Sequence, residues 1–339
     1  MPLISVIITA FGRQDYLLRS LLSAVDQDLP NSKYEVLLAT NFPEAASQIT
    51  ASVGRSSSPE IRVLSGLPEG LGATVAAAIA DSRGEILCFL DDDDEWEPSR
   101  LSAVSLAFGS AAGVGFYKNQ QSFIDDQQRV VSSVQARRWL KQRGLGRAKV
   151  ARRVTAANLL SNPRLMSVYL PMFNSSSLAV RAEVLKPRLN LLSQLPALID
   201  LAYFCVAMTS AVDVYLEPAP LTRYRIHRST SNYGPGDPRR AHWSAQTRVA
   251  MGLISELAQE TELMELKKLI DAENVFYASR SDLVVPVSSR AEFAGRLARG
   301  LVPLLRYEGS RGVGLTLLGA AYLVSPLLAS QCFALLQSH

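Results

Sequence analysis

Leu3 to Ala10 is a short, β-branched and almost unbroken apolar run, the pattern of a strand covered on both faces within a mostly parallel sheet. Gly12 breaks it. From Asp15 to Val25 the apolar residues Tyr16, Leu17, Leu21, Leu22 and Val25 recur at helical spacing, and Pro30 closes the segment. The alternation then repeats. Tyr34 to Ala39 reads as a second buried strand, Glu44 to Val53 as a helix, Ile61 to Leu64 as a third strand, Ala73 to Ala80 as a helix ending near Gly84, and Glu85 to Leu90 as a fourth strand. Such alternation builds right-handed βαβ units on a parallel sheet whose ligands sit beyond the carboxyl ends of the strands. Chemistry is therefore expected just after those strands. Past the breaker GPGDP, Gly234 to Pro238, the periodicity turns helical over Trp243 to Ala258 and Glu262 to Ala278.

Composition narrows the class. A chain of 339 residues with 48% hydrophobic and 19% charged residues is globular, which excludes a disordered or fibrous protein. Its 35 basic and 31 acidic residues leave a net charge of +4, too slight to argue for nucleic acid. Cys88, Cys205 and Cys332 are far apart in apolar surroundings, so neither a disulfide framework nor a zinc cluster follows, and a reducing compartment is expected. The opening MPLISVIITAF has no basic leader and no cleavage site, so no signal peptide is expected.

The fourth strand runs into FLDDDDEWEP, Phe89 to Pro98. Carboxylates at Asp91, Asp92, Asp93 and Asp94 repel one another, and a strand end supplies no helix N-terminus to offset them. A solvated acidic turn is the plain reading of a charge run. Its place at the ligand edge of a buried strand argues instead for hard-oxygen ligation of Mg²⁺ or Mn²⁺.

Four blocks in order, SVIITAFGRQDYLLRSLLSAVDQ, GLGATVAAAIADSRGEILCFLDDDDEWEP, FNSSSLAVRAEVL and LTRYRIHRSTSN, make the chain resemble a family 2-type glycosyltransferase of the GT-A fold over roughly its first 235 residues. The resemblance implies an α/β domain with a mostly parallel sheet flanked by helices. It also implies transfer of a sugar from a nucleotide-diphosphate donor to an acceptor hydroxyl, by direct displacement with inversion. Metal is implied at Asp91 and Asp93. Nucleotide-sugar contacts are implied at Ala10, Phe11, Arg13, Asn41, Asp91, Asp92 and His227, while Asp92 and Asp94 support the ligands or are solvated. Thr40 and Asn41 stand where the family usually has a base-reading aspartate, and Val75 and Ala76 replace its usual Arg-Asn pair. The family's Glu-Asp pair is reduced to Ile199 and Asp200.

An acceptor hydroxyl needs a base within hydrogen-bond reach. Asp200 is the single carboxylate between Leu189 and Val212 and is the candidate, with a helix N-cap as its structural alternative. His227 reads as a further metal ligand, a donor-orienting group or a structural histidine, and the basic residues Arg223, Arg225 and Arg228 around it could grip a pyrophosphate. Asn174 and Ser175 to Ser177 read as an acceptor-side block or as turn-formers. Eight basic residues and no acidic one lie between Arg137 and Arg153, either a surface loop or a platform for an anionic acceptor or lipid headgroups.

Gly312 to His339 carries no Asp, Glu, Lys or Arg over 28 residues, long enough to cross a bilayer, yet Pro326 divides it. Packed or interfacial helices compete with a span. The expected division is 1–235 (nucleotide half 1–115, acceptor half 116–235), followed by a helical region 236–339 with an apolar tail at 312–336. The expected partners are the donor, a glycan or lipid-linked acceptor and a membrane surface, and not nucleic acid. The expected place is the cytoplasm or the cytoplasmic face of the membrane. Two rival readings are a nucleotidyltransferase, for which TAFGRQD is a poor phosphate loop, and a non-catalytic sugar-nucleotide-binding protein of the same fold.

Overall fold

The structure is a computed structural model, and it describes residues 3–11, 14–53, 58–110, 113–132, 149–227 and 239–284. Arg13, Arg228, most of the basic run, the 234–238 breaker and the apolar tail lie outside the described residues.

The predicted alternation forms the first half: β1 (Ile4–Ala10), α1 (Gln14–Val25), β2 (Tyr34–Thr40), α2 (Pro43–Val53), β3 (Glu60–Leu64), α3 (Leu71–Asp81) and β4 (Ile86–Asp91). After β4 come β5 (Glu95–Trp96), α4 (Arg100–Gly109), β6 (Val114–Ile124), β7 (Arg152–Thr155), α5 (Ala156–Leu160) and α6 (Pro163–Tyr169). A 3₁₀ turn at Ser175–Ser177 leads into β8 (Leu178–Arg181), α7 (Ala182–Leu185), α8 (Leu189–Ser193), α9 (Ile199–Thr209) and β9 (Asp213–Arg225). Two long helices, α10 (Arg239–Gln259) and α11 (Met264–Val284), follow.

One nine-stranded sheet runs in the order β3-β2-β1-β4-β8-β6-β9-β5, with β7 also on β9. β3, β2, β1 and β4 are mutually parallel, and the antiparallel β8 joins them to the second half. Because successive strand side chains face opposite ways, the apolar runs build two cores. Val6, Ile8, Val36, Leu38 and Leu90 pack beneath α1, α2 and α4. Ile7, Leu87, Phe89, Phe116 and Val214 pack against α3, α9 and α10, where Phe89 stacks on Tyr203 with ring centres 4.1 Å apart. Gly72 lets α3 approach α8, since a Cβ there would come within 2.2 Å of the Leu192 carbonyl oxygen.

β9 draws the site together. On one side β6 pairs along its whole length; on the other Asp213 to Leu216 pair with β7 and Thr222 and Arg223 with β5, and register shifts beside Asn119 and Gln120 accommodate Pro218 and Pro220. The strand therefore delivers Arg225 and His227 to the turn that follows β4.

Candidate active site

β1 lies between β2 and β4, with Thr9 opposite Asp91 and Ala10 opposite Thr40. β2 leads outward to β3 on one side, and β4 leads to β8 on the other. A reversal of strand order opens a crevice at the carboxyl ends, and the acidic run falls there.

Within that run, ligand oxygens of Asp91, Asp93 and Asp94 lie within 4.8 Å of one another. Asp91 is partly exposed, whereas Asp92, Asp93 and Asp94 are buried. A solvated acidic turn is thus ruled out. Asp94, expected only to support or to face water, belongs to the cluster. Asp92 is fully enclosed, because its amide donates to the Thr9 carbonyl at 3.2 Å and draws the turn inward.

Neighbouring segments supply donors that the acidic run itself lacks. The Ser175 hydroxyl donates to Asp91 Oδ2 at 2.8 Å, and the Asp91 amide donates to Ser176 Oγ at 3.0 Å. Asn174 Nδ2 donates to Asp94 Oδ2 at 2.8 Å, and the Arg225 amide donates to Asp94 Oδ1 at 2.9 Å. His227 Nε2 meets Asp93 Oδ2 at 2.8 Å, its ring tilted against Tyr16. The strand end supplies no helix N-terminus of its own, and these donors come from segments distant in sequence. Compensation is still incomplete: burial, then the charges of Asp93 and Asp91, hold the Asp94 pKa well above the usual carboxylate range.

Arg225 is committed to structure, not to a pyrophosphate. Its side chain is wholly buried, donating from Nε to the Asp93 carbonyl at 2.7 Å and from Nη1 to the Asp125 carbonyl at 2.9 Å, while Nη2 pairs with Glu95. Arg223 pairs with Glu97 at 2.6 Å. Both arginines fasten the turn to β9, Arg225 from within and Arg223 from the more exposed side.

Asp200 stands one residue inside α9. The N-cap is Leu198, in a left-handed conformation, so Asp200 is not itself the cap. Its carboxylate accepts from the Leu201 amide and from the Asn174 amide, each at 3.0 Å. Asn174 thus touches Asp200 through its backbone and Asp94 through its side chain. Burial raises the Asp200 pKa, against the opposing pull of those amides and of Lys118.

Of the other candidates, Phe11 is partly exposed and Asn41 exposed at the ends of β1 and β2. Ala10 is wholly enclosed, because strand alternation turns it into the core beneath α1. Thr40 caps its own turn by accepting from the Phe42 amide at 3.2 Å. Val75 and Ala76 are core residues of α3. Lys118 was missed altogether. A signal existed in KNQQ, Lys118 to Gln121, since four successive polar residues in a strand cannot all face solvent.

A family model described as glycosyl transferase family 2 matches residues 5–149. WcaA of Escherichia coli (strain K12), named as a glycosyl transferase of colanic acid biosynthesis, is 31% identical over 102 residues, which are 30% of this chain. The chain spans only 36% of that relative's length. Among solved structures, S. aureus TarS 1-349 in complex with UDP-GlcNAc shares 16% identity at a TM-score of 0.62, covering 99% of this chain and 93% of that one. Mannosyltransferase PcManGT from Pyrobaculum calidifontis, in complex with GDP-Man and Mn²⁺, shares 14% identity at a TM-score of 0.54, covering 97% and 87%. At these identities the structures establish the fold. Residues 5–149 thus match the glycosyl transferase family 2 model, and the chain as a whole shares the fold of these glycosyltransferases, the GT-A fold that the four sequence blocks implied.

Proposed function

We propose that this glycosyl transferase family 2-type chain moves a glycosyl group from a nucleoside-diphosphate sugar to an acceptor hydroxyl, with inversion. One observation carries the reading: three carboxylates converge where β1 and β4 end, and a single residue, Asn174, links one of them, Asp94, to the half-buried carboxylate of Asp200. The solved structures similar in fold were obtained with UDP-GlcNAc and with GDP-Man and Mn²⁺, which supports the same donor class here.

The oxygen donor set suits a hard divalent cation, Mg²⁺ or Mn²⁺; burial, and then the charges of Asp93 and Asp91, raise the Asp94 pKa, and such an ion would offset both. Asp91 and Asp93 would hold it, with Asp94 behind them. When bound, the ion supplies Lewis-acid stabilisation of the charge that develops on a departing diphosphate. Phe11 and Asn41 border the nucleotide, and Asn41 can both donate to and accept from a base edge. His227 fixes the orientation of Asp93. Asp200 accepts the proton of the acceptor hydroxyl at a carboxylate oxygen, and the Leu201 and Asn174 amides hold that carboxylate in place.

A thermal-shift and hydrolysis panel tests this, using UDP, GDP and their sugars with and without Mg²⁺ or Mn²⁺. A ligand bound only by the folded chain raises its melting temperature. A metal-dependent rise with one nucleotide, with slow release of sugar from its donor, is expected. A flat response across the panel would end the proposal. Among the described residues no helix is long and apolar enough to cross a membrane. Attachment to the cytoplasmic face through residues 312–336 belongs to the same proposal, and a variant ending at Arg311 that partitions like the full chain would remove it.

A further inference from the structure

Lys118 lies in β6, fully enclosed, and no step above uses it. Its Nζ donates to the Phe173 carbonyl at 2.8 Å and to the Ser177 hydroxyl. Those acceptors are the two ends of one turn, and the residues between them face the site. Asn174 reaches Asp200 and Asp94, Ser175 reaches Asp91, and Ser176 accepts from the Asp91 amide. Ser177 Oγ is saturated: it accepts from Gln121 Nε2 at 2.8 Å and donates to the Asn174 carbonyl at 2.8 Å. Local preference does not hold this turn. Asn174 sits at φ 66° and ψ 105°, a sparsely populated conformation that persists only where its surroundings over-determine it.

We infer that Lys118 is a positioning residue: by gripping both ends of the 173–177 turn, it sets the proposed base Asp200 against the Asp91–Asp93–Asp94 cluster. The inference rests on the reading of the site given above. Two roles for a lysine here predict opposite signs. As a clamp, Lys118 holds the donors of Asp91 and Asp94 in register, so its loss weakens cation binding. As a bare like charge near the cluster, it repels a cation, so its loss tightens binding.

The test is Mn²⁺ affinity of the full chain by titration calorimetry, comparing wild type with Lys118→Met, which keeps the side chain's length and removes the amine. Weakening by about tenfold or more is expected, the size typical when a partner behind a metal ligand is removed. Unchanged or tighter binding by a Lys118→Met variant with native circular dichroism would overturn the inference. Ser177→Ala releases the same clamp from its other end and decides the matter if Lys118→Met does not fold. Weaker Mn²⁺ binding is again expected, and wild-type affinity overturns the inference. Where both fold, the double variant should lose less than the two single losses combined, because the substitutions break one unit. A wild-type chain that takes up no Mn²⁺ would sink the site reading together with this inference, whereas wild-type uptake with unaltered variants would sink the inference alone.

Discussion

Within the one sheet, strands β1 to β4 and strands β5 to β9 contribute to the site by different means. The first half is four parallel strands joined by helices, and it carries its acidic residues at the end of a buried strand, where a short segment fixes their place. The second half combines the two-residue β5, the four-residue β7, the four-residue β8 behind a 3₁₀ turn, and the long strands β6 and β9 paired with register shifts. It carries the groups that orient the carboxylates: Asn174, Ser175, Ser176, Arg225 and His227. The charge of the cluster comes from the regular half and its control from the irregular half, which also supplies Asp200. Changes in the first should remove chemistry while sparing the fold, and changes in the second should move both together.

The largest effect tests the first part of that contrast. Asp93→Ala removes a ligand and the partner of His227, and transfer should fall by about a thousandfold or more, the scale of losing Lewis-acid stabilisation worth several kcal/mol. The melting temperature should stay close to wild type, because Asp93 repels Asp94 as well as pairing with His227. Wild-type transfer by this variant would end the assignment of the cluster.

Asp200→Asn comes next and probes the seam between the halves. Loss of a general base costs about 10²- to 10⁴-fold, and the loss should appear in kcat of transfer while metal affinity is kept. Burial raises the Asp200 pKa, so the native protein holds this proton to a higher pH than a free aspartate does. The base is competent only when deprotonated, so the acidic limb of the pH–rate profile should lie above the ordinary aspartate range and should vanish in the variant. The same shift has a stability sign. A carboxyl whose folded pKa is raised binds more protons folded than unfolded, so its contribution declines as pH rises from the unfolded toward the folded pKa.

The sequence showed the two halves unequally. β1 was expected at Leu3 to Ala10 and spans Ile4–Ala10; α1, β2, α2 and β4 also fall within a residue of the reading. Unbroken apolar runs and helical periodicity are local signals, and this half is locally determined. The acidic run could be placed for the same reason. Its partners could not, because Arg225 reaches Asp94 across 131 positions and Asn174 across 80. Pro218 and Pro220 argue against a strand where β9 runs, and β5 is too short to leave a pattern. The burial of Asp92 and Asp94 was not legible because alternation stops at the strand end, and the turn beyond it is set by contacts no periodicity records.

Arg225→Met sharpens the second part of the contrast. Removing one partner of a buried pair destabilises by about 3–5 kcal/mol, and here it takes the cation from Glu95, which keeps the Gln128 amide donor, and frees the Asp93 and Asp125 carbonyls. Stability by denaturant titration should drop by that amount, with weaker Mn²⁺ binding in the fraction that remains folded. A stable variant with lost activity would mean that Arg225 meets the donor, contrary to its burial.

Tyr16→Phe is the smallest and the most selective probe. Tyr16 belongs to α1, and its hydroxyl donates to Asp126 Oδ1 at 2.9 Å across an exposed contact to the segment after β6. Its ring faces His227 and lies 4.9 Å from the Arg225 guanidinium carbon. Phenylalanine keeps both ring contacts and loses one exposed hydrogen bond, a net effect of about 0.5–1.5 kcal/mol, toward the lower end because water replaces the partner. Transfer rates should be nearly unchanged. If the halves are coupled through buried donors at the carboxylates and not through their exposed rim, this substitution must be far milder than Arg225→Met. An equal loss of stability or metal affinity in the two variants would place the coupling at the rim.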